Sequence, residues 1–289
     1  MTSGALFGQL LIGLINGSFY AMLSLGLAII FGLLGIVNVA QGALYMLGGV
    51  LTWMLYHYLG IGYWPSIILA PITVAILGVL LERTLLRRIY NLDHLYGFLL
   101  TLGIFQIIQG IFVKIYGTAG LSYPTPPSLS GGRDLGFMFM PNYRAWIVVA
   151  SLSICFGTWY VVEKTRLGAY LRAATENPTL VRAFGINVPR LITAAFAGGV
   201  ALAGLAGVLV APLYPVSPMM GNSLIITVFA VVVIGGLGSI IGSIITGIAL
   251  GLLEGLSKVF YPEASNMVIF AIMIVVLIVK PAGLFGKER

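Results

Sequence analysis

No aspartate, glutamate, lysine or arginine occurs between residues 1 and 81, and none between residues 191 and 253. A surface facing water cannot be built from uncharged stretches of that length, so the solvent this chain is suited to is hydrocarbon. Composition agrees: 60% of the 289 residues are apolar, 8% are charged and the mean hydropathy is +1.07, where a soluble domain carries roughly 25% charged residues. Glycine fills 38 positions, which in a bilayer favours helices that approach closely or are interrupted. Cys155 is the single cysteine, which excludes a disulfide framework. The first apolar run lacks a basic flank and cleavage site and is read as mature protein.

The net charge of +7 is distributed in a way that points to lipid and not to nucleic acid. Basic residues gather between the apolar stretches in three groups: Arg83, Arg87 and Arg88; Lys164, Arg166, Arg172, Arg182 and Arg190; Lys280, Lys287 and Arg289. Such groups at the ends of spans mark cytoplasmic loops, so an even number of crossings must separate each pair. Residues 95–113 and 145–162 supply two spans, and the Pro- and Gly-containing segment at about 115–143 becomes an outside loop. Residues 191–212 and 264–279 are two more spans. Parity then requires residues 222–260 to cross twice or as two joined half-helices, with Gly235-Gly236-Leu237-Gly238-Ser239 as the break. Residues 40–58 and 65–81 are spans, and residues 6–36 are one long span or two short ones. The expected fold is an all-α polytopic membrane protein of eight to ten transmembrane helical segments, some discontinuous. It forms one membrane domain over residues 1–289, with the C-terminus inside and the N-terminal side open.

Intramembrane enzyme, channel, secondary transporter and the membrane half of a pump are the classes to separate. The two histidines, His57 and His94, form no His-Glu-x-x-His, and no Gly-x-Ser-x-Gly exists, so no catalytic residue and no metal site is expected. No Gly-x-x-x-x-Gly-Lys-[Ser/Thr] is present, so no nucleotide or other cofactor is expected on this chain. Glu254 is the one carboxylate expected within a span, thin support for ion coupling.

Polar groups inside apolar spans are the candidates for lining a path: Asn16, Ser18, Asn38, Gln41, Thr101, Gln106, Gln109, Asn222, Thr227 and Ser239. Each has an alternative role as glue between helices, worth about 0.6 to 2 kcal/mol. Asn38 and Gln41 stand out, being three apart on one expected helical face and flanked by Gly35 and Gly42. Gly235, Gly236 and Gly238 read either as a close-contact strip or as a helix break whose amides point at a solute carboxylate.

The cytoplasmic segment at about 163–190 is polar yet punctuated. Residues 167–176 read as a short helix, Asn177-Pro178 as the cap and first residue of a second, and Gly185 as its left-handed stop before Ile186. Two short helices meeting at a bend make a projecting knob. Gly168, Ala169, Ala173 and Ala174 leave room for close packing, while Arg172, Glu176 and Arg182 offer directional polar contacts.

Gly168-x-x-x-Arg172-Ala173-x-x-x-Asn177-Pro178 followed by Gly185-Ile186 resembles the ATPase-coupling loop in permease subunits of branched-chain amino-acid ABC importers. Three further stretches agree: Asn16-Gly17-Ser18-Phe19-Tyr20-Ala21 with Gly26 and Phe31-Gly32; residues 235–242; and Lys280-Pro281-Ala282-Gly283-Leu284-Phe285-Gly286. Together they span most of the chain in the family's order. Asn38-Val39-Ala40-Gln41-Gly42 stands where members often have Asn-Phe-Ala-His-Gly, which leaves the substrate open among branched-chain and other neutral amino acids, urea, short amides and aromatic acids. The resemblance implies a multi-pass subunit of a bacterial inner membrane that provides half of a translocation path. Its implied partners are a second, homologous permease, two cytoplasmic ATPases that bind ATP and magnesium, and a periplasmic substrate-binding protein. The alternative of another class is a self-sufficient channel or facilitator for urea or a similar neutral solute.

Overall fold

The computed structural model describes residues 3–90, 92–134, 136 and 138–286. Lys287 and Arg289 of the C-terminal basic group lie outside them. Among the described residues eleven α-helices follow one another: α1 (Ser3–Leu34), α2 (Ala40–Leu59), α3 (Tyr63–Thr84), α4 (His94–Tyr116), α5 (Asn142–Lys164), α6 (Arg166–Glu176), α7 (Pro178–Ala183), α8 (Val188–Val210), α9 (Met220–Gly235), α10 (Ile240–Phe260) and α11 (Ser265–Val279). The fold is that of an all-α polytopic membrane protein. Of residues 6–36, left open between one span and two, all up to Leu34 belong to a single helix, and residues 35 and 36 follow it. The expected outside loop also contains a small antiparallel hairpin, β1 (Gly132–Asp134) paired with β2 (Phe139–Pro141), with Arg133 opposite Met140.

Among the described residues six helices are both long and apolar enough to cross a membrane: α1, α3 with its 3-10 continuation to Arg88, α4, α5, α8 and α10. Six of the eight to ten expected segments thus meet both criteria. Helix α2 has the length but is made less apolar by Gln41, His57 and three tyrosines, while α9 and α11 stop at 16 and 15 residues.

The chain divides into two compact units, one of residues 1–25, 125–158 and 226–289, the other of residues 26–124 and 159–225. In the first, α1 and α10 lie antiparallel along a seam of small residues. Gly13 faces Gly251 and Gly255, Gly17 faces Gly247 and Ile248, and Ala21 faces Gly247. Both rows repeat every four residues, so each helix presents one continuous bare backbone face. A Cβ on Gly13 would sit 2.6 Å from the carbonyl oxygen of Gly251, and one on Gly17 2.8 Å from that of Ile248. Beside the seam, Ala230, Val231 and Ile234 of α9 pack with Leu250 of α10 and Ile269 of α11.

The second unit is organised by α2, α3 and α8. Gly48 of α2 meets Gly204 of α8, Gly207 of α8 meets the carbonyl of Tyr45, and Val74 and Val200 fill the space beside Gly204 and Gly78. Lipid tails are as apolar as leucine, so helices gain little by hiding leucines from them, and close packing must hold the helices together.

The seam sets a sharp expectation. Gly251→Ala places a methyl against the Gly17 backbone and should cost about 1–3 kcal/mol, read as a lower thermal midpoint of the purified protein. Gly157→Ala on α5, where a Cβ meets nothing within 4 Å, should leave the midpoint unchanged or raise it through helix propensity.

Candidate functional site

Between α1 and α2 the chain breaks helical continuity over residues 35–39, with Ile36 and Asn38 buried and Gly35, Val37 and Val39 half-buried. Gly35 adopts a left-handed φ of +64° and caps α1 by donating its amide to the Phe31 carbonyl at 2.8 Å, a conformation open to glycine at no steric cost. Exposed backbone groups cannot be left unpaired in hydrocarbon, and α4 supplies what this link lacks. The Thr101 hydroxyl donates to the Val37 carbonyl and accepts from the Val39 amide, both at 3.2 Å. Gly97, one turn earlier, makes room for Ile36; Phe105, one turn later, packs on Gly42 and Gly221. Gln109 closes the same face by donating to the Pro218 carbonyl at 3.2 Å. The spacing 97, 101, 105, 109 puts all four on one side of α4. Gln106 falls off that face and is exposed, so of the three path candidates on α4 the link recruits Thr101, and Gln109 serves the chain before α9.

Asn38 and Gln41 come together here, with one correction. They do not share a helical face: Asn38 lies in the link, before the first residue of α2, and Gln41 is in the first turn of α2. The Gln41 amide nitrogen donates to the Gly199 carbonyl at 3.0 Å, at a point where Gly26 and Gly199 leave no space for side chains. Its oxygen has no hydrogen-bond partner, and neither do the nitrogen and oxygen of Asn38, whose side chain is 1% exposed. Each such buried amide group costs about 1–3 kcal/mol. Asn38 therefore offers a donor and an acceptor, and Gln41 a second acceptor, with no net charge. That inventory suits a neutral or zwitterionic polar solute.

Of the remaining path candidates, Asn222 lies in the same unit as Asn38 and Gln41, and Asn16, Ser18, Thr227 and the 235–239 run lie in the other. Asn16 is half-buried, and Ser18 is buried and donates back to the Ile15 carbonyl at 2.9 Å. Gly235, Gly236, Gly238 and Ser239 form the joint between α9 and α10, so the expected interruption is present. Gly236 and Gly238 have φ of +100° and +84°, and the Ser239 hydroxyl caps α10 by accepting from the Gly242 amide. The joint is covered by the chain's own tail: Leu284 donates to the Ile234 carbonyl at 2.8 Å and Phe285 to the Gly235 carbonyl at 3.2 Å. The amides of Gly236, Ser239 and Gly242 are already engaged within the joint. Asn222 is exposed and Thr227 half-buried.

Two buried carboxylates are satisfied internally. Glu254 accepts from the Tyr20 hydroxyl at 2.9 Å and pairs with Lys258. Glu82, which the sequence reading did not single out, is 1% exposed in the last turn of α3 and accepts from Tyr90 at 2.6 Å and Thr193 at 2.9 Å. Burial, and then this bond, hold the Tyr90 hydroxyl protonated well above the ordinary tyrosine range.

The segment at 163–190 forms the expected two helices. The Asn177 side chain caps α7 by accepting from the Leu180 amide at 2.9 Å, Pro178 is its first residue, and Gly185 turns away with a φ of +81°. Ala174, Val181 and Val188 form a small core of their own, with Ile186 packed on it. Gly168 is used inside the chain, since a Cβ there would overlap the Val162 carbonyl oxygen. Arg172 braces the same corner, donating to that oxygen at 2.8 Å and pairing with Glu163 at 3.4 Å. Ala173 and Glu176 face outward. The sequence reading missed the largest outward feature of this segment: Leu180 on α7 is 55% exposed and Phe184, the residue that caps the C-terminal end of α7, 77%. Two large apolar residues at i, i+4 within an otherwise polar segment were the available signal.

The link predicts opposite signs for two substitutions read by the same thermal midpoint. Thr101→Val orphans the Val37 and Val39 backbone groups and should cost about 1–3 kcal/mol, whereas Asn38→Leu removes two unpaired buried atoms and should be neutral or stabilising.

Residues 9–277 match the family described as "Branched-chain amino acid transport system / permease component". The high-affinity branched-chain amino acid transport system permease protein LivH of Escherichia coli is 30% identical over 298 residues, covering 97% of this chain and 96% of that one. BraD of Pseudomonas aeruginosa, of the same description, is 28% identical over 294 residues with 97% and 96% covered. LivM of E. coli, again described as a permease protein of the high-affinity system, is 28% identical over 297 residues with 93% and 68% covered. No solved structure matches this chain.

Proposed function

The chain belongs to the branched-chain amino acid transport permease family and is a membrane transport component, and from that premise we propose that it is one membrane half of an ATP-driven importer of branched-chain or related small neutral amino acids. The observation that carries the proposal is the knob of α6 and α7. A solvated connector needs neither a private core nor a bared Leu180 and Phe184, and a groove on a cytoplasmic ATPase is the occupant that the coupling-loop pattern implies. The sequence carries no Gly-x-x-x-x-Gly-Lys-[Ser/Thr], and in this reading ATP and magnesium belong to two ATPase partners. Two different permeases of the E. coli high-affinity system, LivH and LivM, resemble this chain, which supports a second, homologous permease as its companion. A periplasmic binding protein delivers substrate to the outside loops. The path uses Asn38 and Gln41, whose spare amide atoms can meet the ammonium and carboxylate of a zwitterion.

Orientation follows from the seam and the basic groups together, in a bacterial inner membrane. Lys280 after α11 and the 163–190 segment are cytoplasmic. Helix α11 then enters from outside, α10 runs outward, and α1, antiparallel to α10, starts outside. Helix α2 runs outward and α3 returns to Arg83, Arg87 and Arg88, again inside. In this arrangement nine helices cross and the two units act as one permease domain. Cysteines at Gly4, Ser122 and Ser130 should label from the periplasm, and those at Thr175 and Thr179 from the cytoplasm. Labelling of Gly4 from the cytoplasm would overturn the N-terminal assignment.

Coupling is tested by Leu180→Asp combined with Phe184→Asp. Membrane levels should be normal, because both residues lie outside the private core, while ATPase association weakens on the order of 100-fold and uptake is lost. Asn38→Leu should instead reduce uptake with the ATPases still bound. Full uptake by the double variant without ATPases would establish a facilitator.

A further inference from the structure

Where α3 ends and α8 begins, the second unit contains a cavity of about 440 Å3 lined by Arg83, Arg87, Asn187, Pro189, Arg190 and Thr193. Three arginines face one opening, and none has an ion-pair partner among the described residues, where the ion pairs are Arg172–Glu163 and Lys258–Glu254. Glu82, the sequence neighbour of Arg83 and the partner of the lining residue Thr193, is buried and already engaged by the hydroxyls of Tyr90 and Thr193. Asn187 is likewise committed, accepting from the Arg190 amide at 3.2 Å as the cap of α8. The positive end of α8, a helix of 23 residues, adds to the field at the same mouth. Guanidinium groups match phosphate oxygens in pairs.

We propose that this cavity binds the phosphate headgroup of an anionic phospholipid. The surface beside it selects a lipid over a free anion. Ile72, Ile76 and Leu80 are exposed at four-residue spacing on α3 and lead directly to Arg83, with Leu85 exposed next to it. A phospholipid whose phosphate sits among the arginines can lay its acyl chains along that ridge, whereas inorganic phosphate gains nothing from it. Solvated loop arginines alone would explain the charges, but not their convergence on one concavity that opens beside an acyl-chain ridge. The inference rests only on α3 and α8 crossing a bilayer and is independent of what the protein transports.

The test uses the full-length chain in nanodiscs and in detergent. Native mass spectrometry should show one phosphatidylglycerol retained in preference to phosphatidylcholine. Retention should fall about 5-fold for each of Arg83→Gln, Arg87→Gln and Arg190→Gln, and on the order of 100-fold for all three together. Arg→Lys at the same positions should retain an intermediate amount, which separates loss of charge from loss of fold. Equal retention by the wild type and the triple Gln variant would overturn the site. Inorganic phosphate at millimolar concentration should leave the bound lipid in place; its displacement would reassign the cavity to a free anion. If lipid retention were unchanged and the triple variant lost only ATPase subunits, the arginines would be a protein-docking surface and the lipid proposal would fail.

Discussion

Backbone-to-backbone contact between glycines is the interaction on which the rest of this structure depends. In water a helix pair is held together by expelling solvent from leucines; here lipid would cover those leucines equally well. What lipid cannot reproduce is the fit of Gly13, Gly17 and Ala21 against Gly247, Gly251 and Gly255, or of Gly48 against Gly204. Once helices approach that closely, polar groups fall within reach of carbonyls that a wider spacing would isolate. Gln41 reaches the Gly199 carbonyl because Gly26 and Gly199 let the backbones meet there, and Tyr20 reaches Glu254 alongside the α1–α10 seam.

The same closeness makes irregular backbone affordable at the 35–39 link. An extended peptide in hydrocarbon would orphan its amides; here Thr101 serves two of them at once. Asn38 in the link and Gln41 at the start of α2 leave three side-chain amide atoms unpaired, while the buried acids Glu82 and Glu254 are satisfied by hydroxyls and a lysine. Gln9, Ser151 and Thr246 each leave one unpaired side-chain atom elsewhere, so it is the pairing of Asn38 with Gln41 that concentrates spare hydrogen-bonding capacity beside the link.

Much of this was legible in the sequence. Charge-free stretches gave the spans, and Asn177-Pro178 with Gly185 gave the bend in the cytoplasmic knob, because caps and left-handed glycines are local chemistry. Asn16, Ser18, Gln41 and the glycine run were placed in the right kind of element, yet their partners were not readable. Whether Gln41 bonds to Gly199, or the 236–239 joint to the tail, depends on residues far along the chain. The shared face of Asn38 and Gln41 was misread since nothing local states that α1 stops at Leu34 and α2 begins at Ala40. Arg172 and Gly168 also shape the corner with Val162 inside the chain, a contact that no local pattern announces. Glu82 escaped notice because it sits beside Arg83, where sequence suggests a membrane edge; its burial comes from Tyr90 and Thr193.

The tail laid over the α9–α10 joint has a consequence for biosynthesis. Residues 281–286 leave the ribosome after every helix has done so, and until they arrive the carbonyls of Ile234 and Gly235 have no donors and the faces of Gly236 and Gly283 no contact. The α9–α10 joint therefore closes as a late event in synthesis, after α11 has emerged, and loss of Leu284 and Phe285 would leave the carbonyls of Ile234 and Gly235 open.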